Sequence, residues 1–194
     1  WKREWGGEIL FSHGMSNSTG VAILLGPNYN LENISNIKTD TDGRFLAVDL
    51  VINDMRYCLT NFYGPNKDTP EILEKCIGNI LNRPTHTKYI LGGDWNAVLN
   101  NNLDKGGVGA HKNKKCGALI RELMEELGLV DIFRIKNPET KKYSHFNKTS
   151  KSCSRLDYFL VSATITNIST SNIEHGFASD HSYVSLTVQG GDIK

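Results

Sequence analysis

The stretch from residue 45 to residue 66 most constrains the fold. Across Phe45–Ile52, Phe45, Ala47 and Asp49 alternate against Leu46, Val48 and Leu50, with β-branched residues among them. Asn53 and Asp54 then give a turn signal, and residues 57–63 read as the returning strand of a hairpin. Tyr63-Gly64-Pro65-Asn66 punctuates its end. Further strands are expected at 21–25, 89–91, 143–146, 156–161 and 183–188, the last alternating apolar with small polar residues. Two helices are expected between them. One opens at Thr69, a candidate N-cap, with Pro70 at its first position and a stripe of Ile72, Leu73, Cys76, Ile77, Ile80 and Leu81. The other spans 117–127, with Leu119, Ile120, Leu123, Met124 and Leu127 on one face and Gly128 as its C-cap. Residues 129–133 read as a short extended piece. Many strands with two helices predict a mixed α/β sandwich.

Length and composition set the outer bounds. A chain of 194 residues suits one substantial core, expected over 1–190, with 191–194 as a tail. The net charge of +1 gives no global nucleic-acid footprint, so any DNA face must come from local clustering. The lysine-rich runs 105–115 and 136–151 are the candidates, although a solvated loop explains each run taken alone. Cys58, Cys76, Cys116 and Cys153 form no CxxC pair and read as free thiols in a reducing compartment. No apolar run nears the ~20 residues of a membrane span, and no signal peptide is visible, so the expected setting is intracellular, off the membrane. The chain starts at Trp1 without Met and reads as a piece of a longer frame.

Three separated segments carry chemistry. In Gly92-Gly93-Asp94-Trp95-Asn96, an acid and an amide follow a buried strand, and the glycines let a ligand or backbone approach. Together they can hold a hard cation or orient a water and a phosphate oxygen, although the same residues also favour turns. In Ser154-Arg155-Leu156-Asp157-Tyr158, Asp157 stands in an apolar run, where a carboxylate must be paired or functional. Arg155 can support a phosphate or another acid. In Ser179-Asp180-His181-Ser182, the imidazole suits general acid or base work, and a second carboxylate, Asp157 being the candidate, would fix its tautomer. Tyr63 and Asn66 flank a turn and can donate to phosphate oxygens.

These segments, with Phe11-Ser12-His13-Gly14, Asn61-Phe62-Tyr63-Gly64-Pro65-Asn66 and Tyr143-Ser144-His145-Phe146, resemble the endonuclease/exonuclease/phosphatase superfamily with its DNase I-like fold. Within it the chain is most similar to the apurinic-type endonuclease domain of non-LTR, LINE-type retrotransposons. The resemblance implies a four-layer α/β sandwich of two packed, mostly antiparallel sheets flanked by helices. It implies DNA nicking with Mg²⁺, or Mn²⁺, in a protein fused to a reverse transcriptase and acting in the nucleus, the domain itself being monomeric. Carried onto this sequence, Asp94 would orient or deprotonate water and Asn96 would hold the phosphate. His181 would contact the scissile phosphate, oriented by Asp157, and Tyr63 would contact it from a strand end. The metal would fall to Asp94, Asn96, Asp180 and His181, and DNA contacts to Asn66, Arg155 and Tyr143. The family's first strands, with an Asn and a metal-binding Glu, would lie upstream of Trp1, since Glu4 and Glu8 stand in the wrong context. Two other readings stay open: a vestigial DNA-binding module, and a phosphatase of small phosphate esters. The small Ser154 leaves no bulky aromatic to pack at an abasic site.

Overall fold

The computed structural model describes residues 2–14, 19–29, 31–81, 83–84, 87–107, 113–176 and 179–189. The expected tail, 191–194, lies outside the described residues. The chain opens with one helical turn, α1 (Lys2–Trp5), and an antiparallel ribbon of β1 (Ile9–His13) and β2 (Gly20–Leu24). Three strands follow, β3 (Ile34–Thr39), β4 (Phe45–Ile52) and β5 (Met55–Tyr63). Asn53 and Asp54 join the last two, both left-handed at φ 49° and 61°. That geometry matches the twist of a tight hairpin, and Asn and Asp tolerate it.

Helix α2 (Pro70–Leu81) then crosses back to β6 (Lys88–Asp94), which lies parallel to β5. Thr69 does not cap this helix with its hydroxyl, which donates instead to the Lys67 carbonyl at 2.9 Å. After the short β7 (Lys105–Gly106) comes α3 (Lys114–Leu127), three residues longer at its start than the apolar stripe indicated. It ends at Gly128, left-handed at φ 60°, as expected. The extended piece after it is shorter than expected. β8 (Leu129–Asp131) stops where the Asp131 carboxylate accepts the Arg134 amide and starts α4 (Ile132–Lys136). The remaining strands are β9 (His145–Asn147), β10 (Ser152–Ser154), β11 (Asp157–Ser162), β12 (Ser169–Glu174) and β13 (Tyr183–Val188).

A six-stranded sheet, in the order β3-β4-β5-β6-β11-β8, forms the centre. On one face Phe45, Ala47, Cys58, Phe62, Leu91 and Leu160 pack against the stripes of α2 and α3. On the other, Leu46, Val48 and Leu50 take Val21 and Ile23 of the β1–β2 ribbon and Leu25 just beyond it. Tyr57 and Val161 pack there with Ile132, Ile165 and Leu186, the last on the β12–β13 ribbon. The architecture is the expected mixed α/β sandwich, with the second sheet present as these two ribbons. Cys58, Cys76 and Cys116 are buried and free, their thiols pushed up to about 12 chiefly by burial.

One glycine sets how closely β5 and β6 approach. Gly93 has φ 143°, and a Cβ there would lie 2.0 Å from the Phe62 carbonyl oxygen, a backbone atom that cannot swing aside. Gly93→Ala is therefore expected to destabilise the fold by about 3 kcal/mol or more. Gly128→Ala meets open space and carries only the left-handed backbone cost, about 1 kcal/mol. Urea denaturation followed by circular dichroism separates the two.

Candidate active site

Strand register assembles the site. In β6, Asp94 pairs across one edge with Tyr63 of β5 and across the other with Asp157 of β11. A phenol and two carboxylates from distant segments thus stand side by side at one end of the central sheet. The turn after Asp94 is held by Trp95, which is buried, stacked on Tyr158 at 5.6 Å and donates from its indole to the Tyr158 carbonyl at 3.1 Å. The Trp95 amide also donates to the Leu156 carbonyl at 2.9 Å.

Asn96 follows in a left-handed conformation, φ 50°, which brings its amide back over Asp94. Its backbone N–H donates to Asp94 Oδ1 at 2.9 Å. Its side-chain Nδ2 lies 3.1 Å from the Gly64 carbonyl and 3.3 Å from Asn66 Oδ1. Tyr63 donates its hydroxyl to the same Asn66 oxygen at 3.0 Å. Beneath them, Asn113 Nδ2 donates to the carbonyls of Pro65 and Asn96 at 2.8 and 2.7 Å, tying both turns to the start of α3.

His181 arrives on the opposite wall, bridged to His145 as an antiparallel pair. Its Nδ1 lies 2.8 Å from Asp157 Oδ2. Ligand atoms of Asp94, Asp157 and His181 all fall within 4.8 Å of one another. Hydrogen bonding to Asp157 raises the His181 pKa and outweighs burial, which acts the other way. Burial, then the charge of Asp157, pushes Asp94 up to about 6, against the Asn96 N–H and His181, which lower it. Asp94 and His181 open onto a cleft of about 480 Å³ lined also by Tyr63, Asn66, Asn96, Lys105, His145 and Ser154.

Three expected residues, Asp180, Arg155 and Tyr143, sit elsewhere. Asp180 does not join the cluster: its side chain is 65% exposed, 3.8 Å from His145 Nε2. Arg155 is no DNA contact, because its side chain is fully buried between two carboxylates. It donates to both oxygens of Asp104, at 2.8 and 3.0 Å, and to both of Asp131. Burial alone would lower the pKa of this guanidinium, but the two acids outweigh it and raise it. Arg134 adds a 2.6 Å contact to Asp104. Tyr143 does not line the cleft, and its half-buried hydroxyl lies 3.4 Å from the Lys105 carbonyl. Residues 177 and 178, which precede the Asp180 segment, lie outside the described residues. Sequence reasoning missed the supporting roles of Ser144, His145 and Asn113, although the first two lie inside a segment it singled out.

Arg155→Met is expected to cost about 3–5 kcal/mol in urea melts at pH 7, because it leaves Asp131 buried without its cation and Asp104 with Arg134 alone. Against burial, chiefly Arg155 holds Asp104 below its ordinary 3.8, so the stability this pairing adds should be lost only as pH falls below that value.

A family described as endonuclease-reverse transcriptase matches residues 57–185. An uncharacterized 149 kDa protein of transposon TX1 from Xenopus laevis is 28% identical over 96% of this chain, which spans 14% of that protein's length. Among solved structures, an AP endonuclease from Leishmania major superposes with a TM-score of 0.76 at 17% identity, over 95% of this chain and 71% of that one. A 3′-5′ exonuclease from Neisseria meningitidis gives 0.72 at 19% identity, over 97% and 82%. The endonuclease domain of TRAS1, a telomere-specific non-LTR retrotransposon, gives 0.68 at 16% identity, over 96% and 82%. At such identities these structures speak for the fold. Together with the residues matched by the family, they place the chain: it belongs to the endonuclease-reverse transcriptase family, within the DNase I-like superfamily.

Proposed function

We propose that this chain is a metal-dependent DNA endonuclease that nicks one strand, serving as the endonuclease domain of a retrotransposon polyprotein whose reverse transcriptase lies elsewhere in the same protein. The observation that carries this reading is the cluster of Asp94, Asp157 and His181, gathered by register at the floor of a cleft.

Each residue has a role its surroundings support. Asp94, with a pKa near 6, is ionised at neutral pH yet basic enough to take a proton from an attacking water. His181, charged more readily because Asp157 accepts its Nδ1 proton, presents Nε2 to a phosphate oxygen and offsets its charge. Tyr63 and Asn96 both donate to Asn66 Oδ1, linking the three side chains along one side of the cleft. The carboxylates of Asp94 and Asp157 and the amide of Asn96 are oxygen donors of the kind Mg²⁺ or Mn²⁺ takes, and two close negative charges favour a cation there. When bound, such an ion supplies charge neutralisation at the phosphodiester. Acting on chromosomal DNA, the domain would work in the nucleus.

Supercoiled plasmid tests the reading. Nicking is expected with Mg²⁺, not with EDTA, and His181→Ala should lower the rate by about 10²-fold or more. Salt-sensitive DNA retention by a folded chain that never cleaves would instead favour a binding module. Turnover of a soluble phosphoinositide but not of DNA would favour a phosphatase.

Asp94 also predicts a stability effect. Its pKa in the fold lies above the ordinary 3.8, so the folded chain holds that proton more tightly than the unfolded chain. Stability is therefore lost as pH rises from about 4 to about 6 and stays lost above. Asp94→Asn should abolish nicking yet stabilise the metal-free fold by up to about 3 kcal/mol at pH 8, with no gain below about pH 4. Urea melts in EDTA at the two pH values read this directly.

A further inference from the structure

We propose that Ser144 is the positioning residue of the Asp157–His181 pair, holding both halves from one buried point. The geometry stands alone, and its consequence for turnover rests on the nuclease reading above.

Ser144 is completely buried, and its described hydrogen bonds run to the segments that carry the pair. Its Oγ accepts from the amides of Leu156 and Asp157, both at 2.9 Å. Its own amide donates to the Ser154 carbonyl at 3.1 Å, and its carbonyl accepts from the Ser182 amide at 2.6 Å. The next two residues continue the stitch. His145 pairs with Ser154 on one side and with His181 on the other, and the Phe146 amide donates to the Asp180 carbonyl at 2.9 Å.

Sheet register explains why a side chain is needed. β11 pairs with β8 only at Leu160, Val161 and Ser162. At its start, the amides of Leu156 and Asp157 have no β8 partner, and a buried N–H left unpaired is costly. A hydroxyl offers two lone pairs, enough for both amides at once. Removing it frees the backbone that carries Asp157 while leaving both members of the pair chemically intact. Arg155 holds the same elbow from its other side through its amide, 2.8 Å from the Asp104 carbonyl.

The test uses Ser144→Ala, Ser144→Thr and Ser144→Cys, with His181→Ala and Asp157→Ala as controls. In metal-free protein the His181 Nδ1–H bound to Asp157 is expected to give a low-field proton resonance, lost in both controls. Ser144→Ala should lose or broaden that signal and lower kcat for plasmid nicking by about 10- to 100-fold at unchanged KM. Ser144→Thr, which keeps the hydroxyl, should retain both. If Ser144→Ala does not fold, Ser144→Cys carries the test: its thiol is a weak acceptor, and the same losses are expected. A folded Ser144→Ala or Ser144→Cys with the wild-type signal overturns the proposal. If Ser144→Ala loses the signal while His181→Ala nicks at the wild-type rate, the positioning role stands and the catalytic reading of the pair falls.

Discussion

The site depends on β6 being held in register between a parallel neighbour and an antiparallel one. β5 brings Tyr63 to Asp94 from one side and β11 brings Asp157 from the other, across consecutive ladders of main-chain hydrogen bonds. A slip of one residue in either pairing would send the side chain to the opposite face. Gly93 permits the close approach of β5, while Trp95 locks the turn beyond Asp94 onto β11 through its stacking on Tyr158 and two hydrogen bonds. The cleft is thus rigid where it matters, because its floor is sheet and not loop.

That rigidity supports an electrostatically costly arrangement. Two carboxylates face each other on neighbouring strands, and a partly buried Asp94 is driven toward protonation. The same pressure that raises Asp94 favours a proton on His181 and favours a cation between the acids. The buried Arg155, clasped by Asp104 and Asp131, is the balanced counterpart. Here the charges are matched and fully bonded, so they fasten α4, the loop before β7 and the start of β11 together. One acid cluster is left short of positive charge and opens to the cleft; the other is satisfied and closed.

Much of the scaffold was legible because its periodicity is local. β4 has the bounds its alternation indicated, the Asn53–Asp54 turn forms, and the apolar stripes of α2 and α3 pack on the central sheet, with Leu73, Cys76, Ile77, Ile80, Ile120 and Leu123 buried. What was not legible has physical reasons. β3 and β12, reading Ile-Ser-Asn-Ile-Lys-Thr and Ser-Thr-Ser-Asn-Ile-Glu, are edge or ribbon strands with few apolar residues to mark them. Residues 129–133 looked extended throughout, yet the Asp131 carboxylate ends the strand there and starts a helix at Ile132.

The sequence by itself determined the layered α/β class and the short list of polar residues at strand ends, since both follow from neighbours within a few positions. Arg155 shows where that ends. Its acids lie 51 and 24 residues away, so nothing local distinguishes a guanidinium clasped in the core from one reaching for a phosphate. The same distance hid Ser144, whose hydroxyl acts on amides 12 and 13 residues on. Only tertiary structure decided which acids meet, which cation is buried and which serine holds the pair, because long-range pairing of strands, not local propensity, fixes those distances.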